Sequence, residues 1–125
     1  MTRNIIAAVD DMVFASKIRA TAEALDVNIR FHRRLEGLVT AAQEHSPDLI
    51  LVDLHNEKIN PLELARQLKS NEGLQTIPLL GFFSHVETDL RTAALEAGFD
   101  HVVPRSAFAR DLAKILAGDR QKPDR

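Results

Sequence analysis

Leu49-Ile50-Leu51-Val52-Asp53 decides the fold. Aliphatic residues follow one another without alternation, too few for a helix, and stop on a carboxylate; that is the pattern of a strand buried on both faces. Ile5-Ile6-Ala7-Ala8-Val9 does the same and runs straight into Asp10-Asp11. In a parallel sheet covered by helices on both sides, the carboxyl ends of the strands form the ligand crevice. If these two strands are neighbours, Asp10, Asp11 and Asp53 meet there. Like charges held that close repel unless they are protonated or bridged by a cation, and oxygen-only ligands suit a hard ion such as Mg²⁺. Any one of the three, taken alone, reads as a solvated turn aspartate. Their matched placement at two strand ends argues for one shared site.

Composition removes several function classes. The 125 residues fit one domain, and 45% hydrophobic content is enough for a core. No run approaches the ~20 apolar residues of a membrane span, and Met1-Thr2-Arg3-Asn4 leads into a strand rather than a signal peptide. With no cysteine there is no disulfide framework, thiolate metal site or cysteine nucleophile, which suits a cytoplasmic protein. A net charge of −2 gives no electrostatic footprint for nucleic acid. The local cluster Arg30, His32, Arg33, Arg34 reads as a solvated strand end and loop.

Strand and helix patterns alternate along the rest of the chain. Phe14, Ile18, Ala22 and Leu25 recur at helical spacing and predict a helix from about Met12 to Leu25. Val27, Ile29 and Phe31 alternate with polar residues as in a half-buried strand. A second helix carries Leu38, Ala41 and Ala42 and closes at Ser46-Pro47, because the residue before proline resists helical geometry. After Asp53, a loop over 55–60 leads to Pro61 at the start of a third helix, with Asn60 as its cap and Leu62, Ala65 and Leu68 inward. Ile77-Pro78-Leu79-Leu80-Gly81-Phe82-Phe83 reads as a fourth strand. Ser84 or Thr88 caps a helix that Gly98 ends in a left-handed stop. His101-Val102-Val103 is a short fifth strand, and Ser106 caps a last helix with Phe108, Leu112, Ile115 and Leu116 inward. Residues 1–118 form the domain, and 119–125, without an apolar residue, read as a frayed tail. Five strands alternating with five helices give a doubly wound α/β sheet with right-handed crossovers.

These stretches together resemble a response-regulator receiver domain from Ile5 to about Leu116. The matching segments are Ile-Ile-Ala-Ala-Val-Asp-Asp, Pro-Asp-Leu-Ile-Leu-Val-Asp-Leu around Asp53, Ile-Pro-Leu-Leu-Gly-Phe-Phe-Ser, and Ala-Gly-Phe-Asp-His-Val-Val-Pro-Arg. The resemblance implies a flavodoxin-like parallel sheet of order 2-1-3-4-5, which makes the first and third strands neighbours. It implies Asp53 as phosphoryl acceptor, and Mg²⁺ (or Mn²⁺) held by Asp10, Asp11, Asp53 and the backbone carbonyl of His55. The family's lysine falls on Arg105, expected beside Asp53 as a fixed counter-charge. The chemistry is coherent: a carboxylate attacks phosphorus, and the charge on the transferring group must be neutralised in place.

The switching parts depart from the family pattern. Arg105 keeps the charge of the lysine but replaces a compact ammonium with a planar fork. The switch hydroxyl falls on Phe83, which cannot hydrogen-bond a phosphoryl oxygen; Ser84, next along, substitutes for it only if the strand end bulges. Its other role is as a helix cap. The fifth-strand aromatic is Val102, and the loop after Asp53 reads His-Asn-Glu-Lys-Ile-Asn-Pro, without the usual glycine turn. Phe82 and Phe83 point to opposite faces; one belongs to the core, and the other is placed where the switch residue would move. An intact acidic trio with four altered switching positions describes an atypical member.

Rival functions can be weighed. A flavin or dinucleotide enzyme needs a glycine-rich phosphate cradle after the first strand, and Asp-Asp-Met-Val-Phe stands there instead. An aspartate-nucleophile hydrolase lacks an evident general acid beside Asp53. The reading is therefore a non-enzymatic single-domain regulator in a phosphorelay, its partner a histidine kinase, a phosphotransfer protein or another regulator. The alternative is a phosphorylation-independent pseudo-receiver that binds partners or dimerises. Analogy places the partner face, and a homodimer contact, on the fourth helix, fifth strand and last helix, with Val86, Asp89, His101, Arg110 and Lys114. His55, just past Asp53, is placed to tune or block the site, though an exposed loop histidine is the commoner case; His85 and His101, on the partner face, read equally as ordinary surface histidines.

Overall fold

The structure is a computed structural model, and it describes residues 2–84 and 88–118. Strands β1 (Asn4–Ala8), β2 (Asn28–Phe31), β3 (Leu49–Asp53), β4 (Leu79–Phe83) and β5 (His101–Pro104) form a parallel sheet of order β2-β1-β3-β4-β5. Helices α1 (Met12–Ala24), α2 (Leu35–His45), α3 (Pro61–Lys69), α4 (Thr88–Ala97), α5 (Arg105–Arg110) and α6 (Leu112–Ala117) connect and follow them, with one 3₁₀ turn at Glu57–Ile59. This is the doubly wound, flavodoxin-like arrangement that the alternating pattern requires.

Successive strand residues face opposite sides, so the sheet divides the core in two. On one face Ile5, Ala7, Leu49, Leu51, Leu80 and Phe82 pack against Phe14, Ile18 and Ala22 of α1 and against Phe108, Leu112 and Leu116. On the other, Ile6, Ala8, Ile50, Val52, Leu79, Phe83 and Val102 meet residues of α2, α3 and α4, including Leu38, Leu64, Leu68 and Ala94. Both phenylalanines of the Phe82-Phe83 pair are therefore core. Phe82 stacks on Phe108 with ring centroids 4.5 Å apart, and Phe14 meets Phe82 edge-on at 5.3 Å. Gly81, between Leu80 and Phe82, sits where a Cβ would lie 2.9 Å from both Leu54 and Phe99.

Local details refine the sequence reading. Leu25 lies outside the helical core as the C-cap of α1, and it is exposed. Ser46 ends α2 in the left-handed region at φ 45°, and Gly98 ends α4 at φ 126°. Asn60 precedes α3 at φ 53° but makes no side-chain capping bond. The single last helix expected from Phe108 to Leu116 is two, separated at Asp111 (φ −102°, ψ 16°). Arg110 holds the Asp111 carboxylate through Nε at 3.2 Å and Nη2 at 3.1 Å. The i→i−4 bonds from the Asp111 N–H to the Ala107 carbonyl (3.0 Å) and from the Ile115 N–H to the Asp111 carbonyl (2.9 Å) still run through the break.

At the end of the sheet away from Asp53, Lys69 Nζ donates to the Gln75 and Ile77 carbonyls and to Asp100 Oδ2 (3.0, 3.2 and 2.9 Å). The same Asp100 oxygen accepts from the Leu79 N–H at 2.8 Å, so one ion pair ties α3 to the starts of β4 and β5. Arg3, just before β1, donates from Nε to the Leu116 carbonyl at 2.8 Å and joins the sheet to the end of α6. The tail expected at 119–125, and His85 and Val86 of the expected partner face, lie outside the described residues.

Candidate functional site

β1 and β3 run side by side, with Ala8 opposite Val52. Asp10 and Asp11, just beyond β1, and Asp53, the last residue of β3, therefore lie at adjacent strand ends, in the crevice where doubly wound folds bind ligands. Asp53 is half-buried, and its Oδ1 accepts the backbone N–H of His55 at 2.9 Å. The Asn56 N–H bonds the Asp53 carbonyl at 3.0 Å, so the chain turns tightly as soon as the strand ends.

Asn56 is the buried polar side chain among the described residues, 7% exposed. Its Nδ2 donates to the Ala8 carbonyl at 3.3 Å, which pins the β3–α3 loop against the end of β1. That bond holds the loop after Asp53 and the Asp10-Asp11 pair in one frame. Ile59 anchors the other end of the 3₁₀ turn in the core, fully buried.

Asp11 has two tasks. It is the N-cap of α1: Oδ1 accepts from the Phe14 N–H at 3.0 Å, meeting one of the donors left free at a helix start. Oδ2 takes Nη2 of Arg105 at 2.9 Å. The Phe14 N–H, first, and the Arg105 guanidinium hold the Asp11 carboxyl below the usual carboxylate value. Arg105 opens α5, and its guanidinium lies 4.2 Å over the Phe14 ring, a cation–π contact that fixes the fork from a second side. The expected counter-charge of Asp53 is thus committed to Asp11, and no Arg105–Asp53 ion pair is formed among the described residues. The reason is layering: α1 and α5 cover the same face of the sheet, which brings Arg105 to the first turn of α1.

Asp10 pairs with Lys58 of the 3₁₀ turn, Nζ to Oδ2 3.2 Å. Sequence reasoning missed both Lys58 and Asn56. The available signal was a cation five residues beyond an acidic strand end. The donor types suit a hard divalent ion, yet among the described residues no three His, Cys, Asp or Glu side chains are grouped to hold one. Asp10 turns to Lys58, Asp11 to Arg105, and Asp53 to its own loop. Ser84 is exposed immediately after β4, while Phe83 and Val102 lie in the same apolar cluster on the opposite face from Phe82.

Known proteins agree with this geometry. The family model described as "Response regulator receiver domain" matches residues 5–117. The "Polar-differentiation response regulator DivK" of Brucella ovis is 35% identical over 81 residues, 64% of this chain. The match spans 65% of that relative's length, just short of two thirds. The receiver domain of the Pseudomonas aeruginosa sensor histidine kinase PA1611, solved with magnesium coordinated in its active-site cleft, superposes with a TM-score of 0.78 at 17% identity, covering 95% of this chain and all of that one (100%). The Mn²⁺-bound response regulator Rcp1 gives 0.73 at 22% identity, over 93% of this chain and 90% of its own. At such identities the structures speak for the fold. Among the described residues no helix is long and apolar enough to cross a membrane. With the sheet order, the paired acidic strand ends and a family match over nearly the whole chain, this protein belongs to the response-regulator receiver domains of two-component signalling.

Proposed function

We propose that this chain accepts a phosphoryl group on Asp53 from a histidine kinase or phosphotransfer protein, and hands the signal to another regulator in the cytoplasm. The observation that carries this is the placement of Asp53 at the end of β3, half-buried and beside Asp10 and Asp11. Oδ1 is bonded to the His55 N–H, which orients the carboxylate at the strand end. Asp10, Asp11, Asp53 and the His55 carbonyl would hold Mg²⁺ or Mn²⁺. Such an ion neutralises charge on a transferring phosphoryl group and lets a carboxylate approach it. Arg105 orders Asp11 and supplies the fixed positive charge of the crevice, and Ser84 is the first hydroxyl beyond β4.

The test is reaction with acetyl phosphate and Mg²⁺, or capture of beryllofluoride, followed by intact-mass analysis and NMR. Wild type is expected to react and Asp53→Asn to lose the reaction. Failure of the wild type under conditions that load other receivers would sink the proposal.

A second reading is favoured by specific observations. Lys58 and Arg105 already neutralise Asp10 and Asp11, and Phe83 and Val102 fill the switch positions with buried hydrocarbon. A pseudo-receiver built this way signals by binding partners without modification, its candidate face α4, β5 and the helices after it. A homodimer through that face belongs to the same reading.

A further inference from the structure

The two cations of the acidic crevice are built differently. Arg105 is held from two sides, by Asp11 at 2.9 Å and the Phe14 ring at 4.2 Å, and its side chain is 33% exposed. Lys58 pairs with Asp10 at 3.2 Å through a side chain that is 70% exposed. It sits on the 3₁₀ turn between Asn56, tied to β1 through Ala8, and Ile59, buried in the core. The turn is thus anchored at both ends while its ammonium projects onto the carboxylate that closes β1.

We infer that Lys58 is a tethered counter-ion that competes with the divalent metal for Asp10. This rests on the reading of Asp10, Asp11 and Asp53 as a metal-assisted acceptor site. In the observed arrangement Asp10 faces Lys58, and among the described residues no three carboxylates are grouped for an ion. For Asp10 to face a metal, its oxygen must exchange the ammonium for the ion, and the ammonium must swing into solvent. An exposed lysine on a flexible four-carbon stem does this at little cost. The exchange lowers apparent metal affinity, keeps the metal-free crevice from accumulating repulsion, and couples metal loading to movement of the Lys58 side chain.

The test is an Mg²⁺ titration of the full chain followed by amide NMR shifts at residues 10–11 and 53–60, which needs no phosphoryl transfer. Lys58→Met keeps the apolar stem and removes the charge. It is expected to tighten Mg²⁺ binding about threefold to tenfold, the range set by the worth of an exposed ion pair plus relief of repulsion between like charges. Lys58→Arg should stay within about twofold of wild type, and Lys114→Met, on α6, should match it, since long-range charge is screened beyond ~10 Å at 0.1 M salt. Raising the salt should narrow the gap between wild type and Lys58→Met. Equal affinities in wild type and Lys58→Met overturn the competition and leave the acceptor reading standing. No binding in either chain at tens of millimolar Mg²⁺ overturns both.

Discussion

Asp11 shows how much one side chain can carry. The same carboxylate caps α1 through the Phe14 N–H and pairs with Arg105, and both partners depress its pKa. A depressed folded-state value means that this contribution to stability is fully present above the ordinary value of 3.8 and is lost as pH falls below it through the folded-state pKa. Asp11→Asn keeps a capping oxygen but removes the charge. Its thermal midpoint should therefore lie below that of wild type at pH 6, and the difference should shrink as the pH drops below about 3.8; a gap that is constant with pH would rule out the charge as its source. His32 titrates with the same sign for another reason. Burial, then the charges of Arg30 and His45, lowers its pKa from 6.5, so folding favours neutral imidazole. Stability held by His32 is complete above 6.5 and falls as acid protonates the ring, and His32→Gln should flatten the stability curve below pH 6.5. The acidic trio was legible in the sequence because strand ends are marked by where hydrocarbon stops. The cations that meet it were not, since Lys58 and Arg105 find Asp10 and Asp11 only through tertiary return of the chain.

At the scale of elements, period and punctuation carried the fold. Unbroken apolar runs marked β1, β3 and β4, and Gly98 stopped its helix in the left-handed region as a glycine should; Ser46 ended α2 before Pro47 as expected, but in the left-handed rather than the extended region. The division at Asp111 escaped that logic, because the hydrophobic stripe Phe108, Leu112, Ile115, Leu116 keeps its spacing straight across the break. The role of Gly81 escaped it as well: nothing in a strand's own sequence says that Leu54 and Phe99 close over its α-carbon. Gly81→Ala should cost about 1–3 kcal/mol in denaturant unfolding, the range for overpacking a tight core. A neutral result would mean that Leu54 and Phe99 repack freely. The Lys69–Asp100 pair is the other unannounced tie between elements. Lys69→Met takes the donor from two loop carbonyls and the cation from Asp100, which keeps the Leu79 N–H, and should lower stability by about 1–3 kcal/mol, as for hydrogen bonds to a charged group. Equal melting of the two proteins would reduce the tie to a surface contact.

For the molecule as a whole, the question is how far an event at Asp53 travels. A ligand moves a conformational equilibrium only by its differential affinity for the two states. Phe83 and Val102 offer a phosphoryl group no polar handle, and both are packed into the same apolar layer. Beryllofluoride should therefore perturb amides near residues 10–11, 53–60 and 84, and leave His101 and α6 almost unmoved. Large shifts across β5 and α6 would show that the packed layer rearranges after all. The Arg3–Leu116 bond adds a consequence of a different kind. It brings the start of β1 against the last turn of α6, at the pole opposite the acidic crevice. By the same geometry, cargo grafted beside Arg3 or Leu116 would hang beneath the sheet and leave the mouth of the crevice clear.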